Sequence, residues 1–168
     1  MEKKQHIEQF IQRLKELHEQ DNRGALSALR RALSGRPAEQ LEVFRYIGWR
    51  LPPHPQAQDD YILIAAMFAY HPMSCDKGNM GAHFASLRAA DEAKTKALER
   101  RFTVLLKAHP DELAYHLRTV ISLLKSKDVP IYWTQLLYDV RYWGHHDRFV
   151  QREWATAFWS QPIEEQSS

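Results

Sequence analysis

Apolar residues recur along this chain at three- and four-residue intervals, and no segment alternates apolar with polar positions as a half-buried strand does. Ile7, Phe10, Ile11, Leu14 and Leu17 mark one face of a helix predicted over 2–20. Gly24 interrupts, and Leu26, Leu29 and Leu33 carry the pattern over 25–33. Ser34-Gly35-Arg36-Pro37 reads as a stop and restart, with Pro37 suited to a first helical turn. The helix that follows, 38–47, presents Leu41, Phe44 and Ile47. Leu51-Pro52-Pro53-His54-Pro55 predicts an extended elbow, because prolines remove donors and disfavour helix before them. The stretch 59–70 is nearly all apolar and predicts a central, buried helix. Asp59-Asp60 would open it, where carboxylates suit the dipole and free amides, and His71-Pro72 would close it.

Further helices are predicted over 82–89, 94–108, 111–125, 132–143 and 146–160. Leu113, Leu117, Val120, Ile121 and Leu124 form the inner stripe of the third of these. Trp133, Leu136, Leu137, Val140 and Trp143 recur at helical spacing and read as core, as does Trp154 with Val150, Ala157 and Phe158. The expectation is an all-α compact bundle of about nine helices. It is one domain over 1–160, with a candidate seam between two small lobes near 88–94, followed by a flexible polar tail over 161–168.

Composition sharpens this picture only in places. Among 168 residues, 44% are apolar and five are Trp, enough for a real core. The formal charge is +2, but it is uneven. Residues 1–76 carry 10 basic and 10 acidic side chains, whereas 77–160 carry 13 against 9. Such asymmetry hints at a basic face. Cys75 is the one cysteine, so no internal disulfide forms and a reducing compartment is expected. The first residues lack the apolar run of a signal peptide, and Tyr61 to Tyr70 is too short to span a bilayer. A soluble cytoplasmic protein with no membrane contact is expected.

The candidate chemistry lies in the basic residues. Arg100 and Arg101 flank a helix whose inner face is Leu98, Phe102 and Leu105, with Arg101 beside that face and Arg100 on the far side. Guanidinium offers a planar fork of donors and never loses its charge, which suits phosphate. Arg118 and Lys125, seven apart, share a stripe, and Lys127 follows in the next turn. Arg148 and Arg152 share another stripe with Trp159, a mixture of cations and a flat ring that grips single strands. Arg30-Arg31 repeats the signal more weakly, and Arg141 lies beside Tyr142-Trp143. The competing reading is an ordinary solvated helix face with intrahelical ion pairs.

Other chemistries fit poorly. His71 and Cys75 are separated by the helix-ending Pro72, and His145-His146-Asp147 has no second ligand set at matching spacing. No metal or cofactor is expected. Ser74 and Cys75 lack an oriented base that would make either a nucleophile. Gly78-Asn79-Met80-Gly81 is short for a phosphate loop, and its glycines read as turn geometry and a helix start. No catalytic residues are expected.

Several ordered motifs resemble the CasB family, the small subunit of the type I-E CRISPR surveillance complex Cascade. They are Gly48-Trp49 before the Pro-rich elbow, His71-Pro72 followed by Gly78-Asn79-Met80-Gly81, and Glu99-Arg100-Arg101-Phe102. Tyr115-His116-Leu117-Arg118, Leu123-Leu124-Lys125-Ser126-Lys127 and Val129-Pro130-Ile131-Tyr132-Trp133 continue the series, with Arg141-Tyr142-Trp143 and Gln151-Arg152-Glu153-Trp154 closing it. The resemblance covers roughly 41–160 and implies an all-α, non-catalytic subunit for antiviral defence. It implies as partners other Cascade subunits, a second copy of the chain, guide RNA and target DNA. In that family two copies lie along the belly of the complex and stabilise the R-loop, particularly the displaced non-target strand. The family's basic positions match Arg30, Arg31, Arg101 and Arg118, with Arg100, Lys125, Arg141, Arg148 and Arg152 as neighbours. The charge around Arg148 depends on pH because His145-His146-Asp147 precedes it. A purely protein–protein scaffold, without nucleic-acid contact, is the alternative.

Overall fold

A computed structural model describes residues 2–160. Ten α-helices run in order: α1 Glu2–Glu19, α2 Arg23–Arg31, α3 Pro37–Glu42, α4 Phe44–Ile47, α5 Pro55–Tyr70, α6 Met80–Ala85, α7 Glu92–Leu106, α8 Leu113–Ser126, α9 Trp133–Arg141 and α10 Phe149–Trp159. Three short 3-10 turns, at Ala32–Ser34, Gly48–Arg50 and Pro110–Glu112, join them. The described residues contain no β-strand, so the protein is all-α. None of these helices is long and apolar enough to cross a membrane. The expected tail over 161–168 lies outside the described residues.

The chain divides into two compact units, Met1–Cys75 with Trp133–Arg141, and Asp76–Tyr132 with Tyr142–Ser168. Residues 88–94, the candidate seam, lie inside the second unit. Contiguous sequence hides the division because α9 belongs with α1 and α5 rather than with its chain neighbours.

The first unit is built on α5. Pro55 occupies its first turn, where a missing N–H costs nothing, so the helix begins four residues before the expected start. Asp59 and Asp60 therefore sit inside the helix and cap nothing. Nine α5 side chains, including Tyr61, Ile64, Met67 and Phe68, are buried, as a nearly all-apolar helix requires. The α1 stripe Ile7, Phe10, Ile11, Leu14 and Leu17 is buried as expected. Trp133 of α9 meets Phe68 edge-on at 5.7 Å and donates its indole N–H to the Met73 carbonyl at 3.3 Å. The predicted helix 38–47 instead breaks at Val43 into α3 and α4. Val43 and Ile47, four apart and thus on one face, are fully buried, whereas Leu41 is 67% exposed and Phe44 is 36% exposed.

The second unit holds α6, α7, α8 and α10. Asn79 caps α6 and Asp91 caps α7, each side-chain oxygen accepting a first-turn N–H, which sets both starts earlier than the apolar pattern alone predicts. Gly78 adopts φ +89°, the left-handed turn its sequence context predicts. Gly81 does not serve a turn. It lies within α6 with the α10 backbone against it, and a Cβ there would stand 2.0 Å from the Trp154 carbonyl oxygen. Phe102 stacks on Phe158 at 4.3 Å and meets Phe84 at 5.3 Å, joining α7 to α10 and α6. Trp143 donates to the Ala108 carbonyl at 2.9 Å, and Gln151 donates to the Trp143 carbonyl at 2.8 Å. These buried Trp residues are core, as their spacing predicts.

His83 is buried in α6, and its Nε2 accepts the Tyr132 N–H at 3.1 Å. Burial disfavours the imidazolium and lowers its pKa to about 4. A histidine depressed in the folded state stabilises above its unfolded pKa near 6.5, and that stability is lost as pH falls toward 4. Wild-type unfolding free energy should thus drop by up to about 3 kcal/mol between those pH values. Denaturant titrations should show a flatter acid limb in His83→Gln. Gly81→Ala should lower stability by about 1–3 kcal/mol or more through overpacking, read as the thermal midpoint, while Gly35→Ala, strained only by its own turn, should cost less.

Candidate nucleic-acid interface

Burial of Leu98, Phe102 and Leu105 fixes the roll of α7. At ~100° per residue the flank beside that face carries Arg101 and then Val104, with Arg100 on the far side of the helix. On α8, burial of Leu113, Leu117, Val120, Ile121 and Leu124 leaves His116, Thr119 and Tyr115 on the facing flank. These two rows line opposite walls of an open groove of about 460 Å³. Arg100, on the far side of the helix from its buried face as expected, still reaches the open groove together with Arg101.

Neither arginine has a carboxylate within ion-pair distance among the described residues. The one such pair on α7 joins Lys96 to Glu92 at 3.5 Å, a turn away. Two permanent positive charges therefore line the groove with no carboxylate in ion-pair range among the described residues. Tyr115 is 70% exposed and Val104 is 54% exposed. Neither was a site residue in the sequence reading, although Tyr115 falls off the inner stripe of α8, which is the signal an exposed aromatic leaves.

The other basic residues are placed differently. Arg118 and Lys125 share an exposed stripe, as their spacing predicts, on the flank of α8 turned away from the groove. Arg152 is exposed on α10. Arg148 precedes α10 in a left-handed conformation, φ 57° and ψ 38°, so it is not on the helical stripe. Trp159 is half-exposed and packs edge-on against Phe102 at 5.4 Å, which ties it to the core of its unit.

Arg30, Arg31 and Arg141 belong to the first unit. Arg30 is exposed at the end of α2. Arg31 donates to Ser27 Oγ at 3.0 Å and to Glu42 Oε1 at 3.1 Å. Arg141 donates to Asp60 Oδ2 at 2.7 Å, and both are partly buried. Burial raises the Asp60 pKa, and the hydrogen bond and charge of Arg141 offset this only in part.

His145, His146 and Asp147 bring their ligand atoms within 4.8 Å of one another. The imidazole rings stack at 4.5 Å, His145 Nδ1 lies 2.8 Å from Asp147 Oδ1, and that oxygen also accepts the Phe149 N–H at 3.0 Å. Partial desolvation raises the Asp147 pKa, but these bonds and the adjacent imidazoles hold it below the usual carboxylate value. The carboxylate is thus engaged in starting α10, and three donors fall short of the four that close a structural zinc site.

A family model described as CRISPR-associated protein Cse2 matches residues 25–159, a span that includes every basic residue singled out above. The chain belongs to the CRISPR-associated Cse2 family. A curated Cse2 protein of Thermus thermophilus is 28% identical over 160 residues, covering 90% of this Cse2 chain and 89% of its own length. The crystal structure of M. ruber CasB superposes with a TM-score of 0.75 at 26% identity, covering 92% of this chain and 93% of that one. A chain of a solved CRISPR RNA-guided surveillance complex shares the Cse2 fold with a TM-score of 0.79 at 23% identity, covering 94% and 93%.

Arg141→Ala should leave Asp60 with burial and the neighbouring Asp59 charge, both of which raise its pKa. Its carboxyl pKa should rise further in a side-chain NMR titration, and the protein should lose about 1.5–3 kcal/mol of stability, the range for a hydrogen bond to a charged group.

Proposed function

We propose that this chain is a non-catalytic subunit of a CRISPR RNA-guided surveillance complex. It holds nucleic acid on basic helix faces and so stabilises the R-loop, particularly the displaced non-target strand. The observation that carries the reading is the pair Arg100 and Arg101, exposed at one groove with no acidic partner among the described residues. Membership of the Cse2 family and the shared fold with a chain of a solved surveillance complex support it. Its partners are the other subunits of that complex, a second copy of itself, guide RNA and target DNA.

The mechanism is electrostatic. Exchange of a DNA duplex for a guide heteroduplex is nearly balanced in free energy. A displaced strand that is free re-anneals and collapses the loop. Guanidinium groups that hold its phosphates lower the free energy of the open state. They read no base edges, so the hold tolerates any sequence and weakens steeply with salt. In this reading Arg100 and Arg101 form one contact, the Arg118–Lys125 stripe a second, and Arg148 with Arg152 a third, while Arg30 offers a separate contact on the first unit. Arg31 and Arg141, bonded to Glu42 and Asp60, act first through the fold and contribute their charge at longer range.

A second reading, a protein scaffold, is favoured by one observation. Leu41 is 67% exposed and Trp49 is 63% exposed in the first unit, with Arg50 over the Trp49 ring at 4.3 Å, a composition typical of protein interfaces. The two readings assign different surfaces and separate by experiment. Binding of labelled single-stranded DNA should weaken steeply with salt. In the Arg100→Ala, Arg101→Ala double variant it should be weaker, with a log–log salt slope shallower by about 1.4, at ~0.7 per single-strand phosphate contact. A wild type that fails to bind at low salt, with no crosslink from the displaced strand in the assembled complex, would leave the scaffold reading.

A further inference from the structure

The groove between α7 and α8 is more than a pair of charges. Its floor is apolar, formed by Phe84, Leu105 and Val120, and its α7 wall places Val104 beside Arg100 and Arg101. Its α8 wall offers three different groups: the Tyr115 ring, the His116 imidazole and the Thr119 hydroxyl. Tyr115 meets His116 edge-to-face at 5.5 Å, which restrains the ring while leaving it 70% exposed. An exposed aromatic and an exposed valine beside a cavity of about 460 Å³ keep apolar surface in water. Phosphate binding needs none of this, since cations on a helix surface suffice for it.

We propose that this groove receives one unpaired nucleobase of the strand whose phosphates Arg100 and Arg101 hold, with the base stacked on Tyr115 and packed over Val104. The inference rests on the nucleic-acid reading above and deepens it. Charge complementarity selects the occupant. Two adjacent guanidinium groups beside the groove favour an anion, and a nucleotide joins an anion to a flat apolar ring within one residue. Its face suits Tyr115 and the apolar floor, and its polar edge meets Thr119 and His116, which discriminate little between bases. An acidic peptide would supply the charge with no flat ring to fill the groove. Stacking platforms of this kind add affinity without sequence preference because every base has a π-face. The consequence for the R-loop is kinetic as well as energetic. A base lodged in the groove is unavailable for re-pairing, so the strand is held by more than its charge.

The test uses the full-length protein and two single-stranded DNAs of equal length and equal phosphate count. One carries normal bases with a 2-aminopurine, and the other is abasic at every position. Wild type should bind the base-bearing strand more tightly and quench 2-aminopurine by stacking. Tyr115→Ala should weaken that binding about 5- to 100-fold and abolish the quenching. It should leave the salt slope and the affinity for the abasic strand unchanged, and Tyr115→Phe should retain wild-type behaviour. Tyr115 is mostly in solvent, so its truncation spares the core, and Val104→Asp tests the same groove from the other wall. Salt-steep binding by wild type that is indifferent to Tyr115 would overturn the base pocket and leave the basic face intact. Absence of salt-dependent binding to either strand would overturn both. Equal competition by a poly-glutamate peptide would assign the groove to an acidic protein segment instead.

Discussion

Phe102 sets the roll of α7, and the character of the groove follows from it. The ring stacks on Phe158 at 4.3 Å and meets Phe84 at 5.3 Å, so one side chain pins α7 to two other helices of its unit. A helix pinned in this way has no freedom to rotate its flank. Arg100, Arg101 and Val104 are carried round to face α8 as a consequence of where the core residue sits. Those neighbours are themselves held by the approach of α6 to the α10 backbone at Gly81, where even a methyl group has no room. Two arginines are thereby aimed by an apolar cluster.

Pairing within the chain divides the basic residues into two kinds. Arg31 and Arg141 already have carboxylates, and in the Asp60–Arg141 pair the partner fails to overcome the desolvation of Asp60. Such residues serve the fold first. Arg100 and Arg101 have no such partner among the described residues. Similar composition thus yields different chemistry, and the difference lies in whether an acidic side chain from another helix comes within about 3 Å.

His83 and the His145-His146-Asp147 turn show the same economy with titratable groups. His83 is kept neutral by burial and used as an acceptor for the Tyr132 N–H. Asp147 is kept charged by donors and used to begin α10 at Phe149. Both close backbone groups that irregular segments expose.

Much was legible in the chain itself. The helical periodicity, the burial of the Trp133–Val140 stripe and the α1 face, and the shared stripe of Arg118 and Lys125 follow from spacing alone, because a helix places every third or fourth residue on one side. Capping residues made most boundaries recoverable to within a few positions, and the misses at α5 and α7 came from Pro55 and Asp91, whose local roles override the apolar pattern. Tertiary structure decided the rest. Only packing buries Val43 in place of Leu41, turns Gly81 from a turn residue into a close-contact residue, and groups α9 with α1 and α5. Only packing, too, sets Arg100 and Arg101 opposite Tyr115. Periodicity reports which side of a helix is apolar, but it carries no information on which other helix faces the flank beside it.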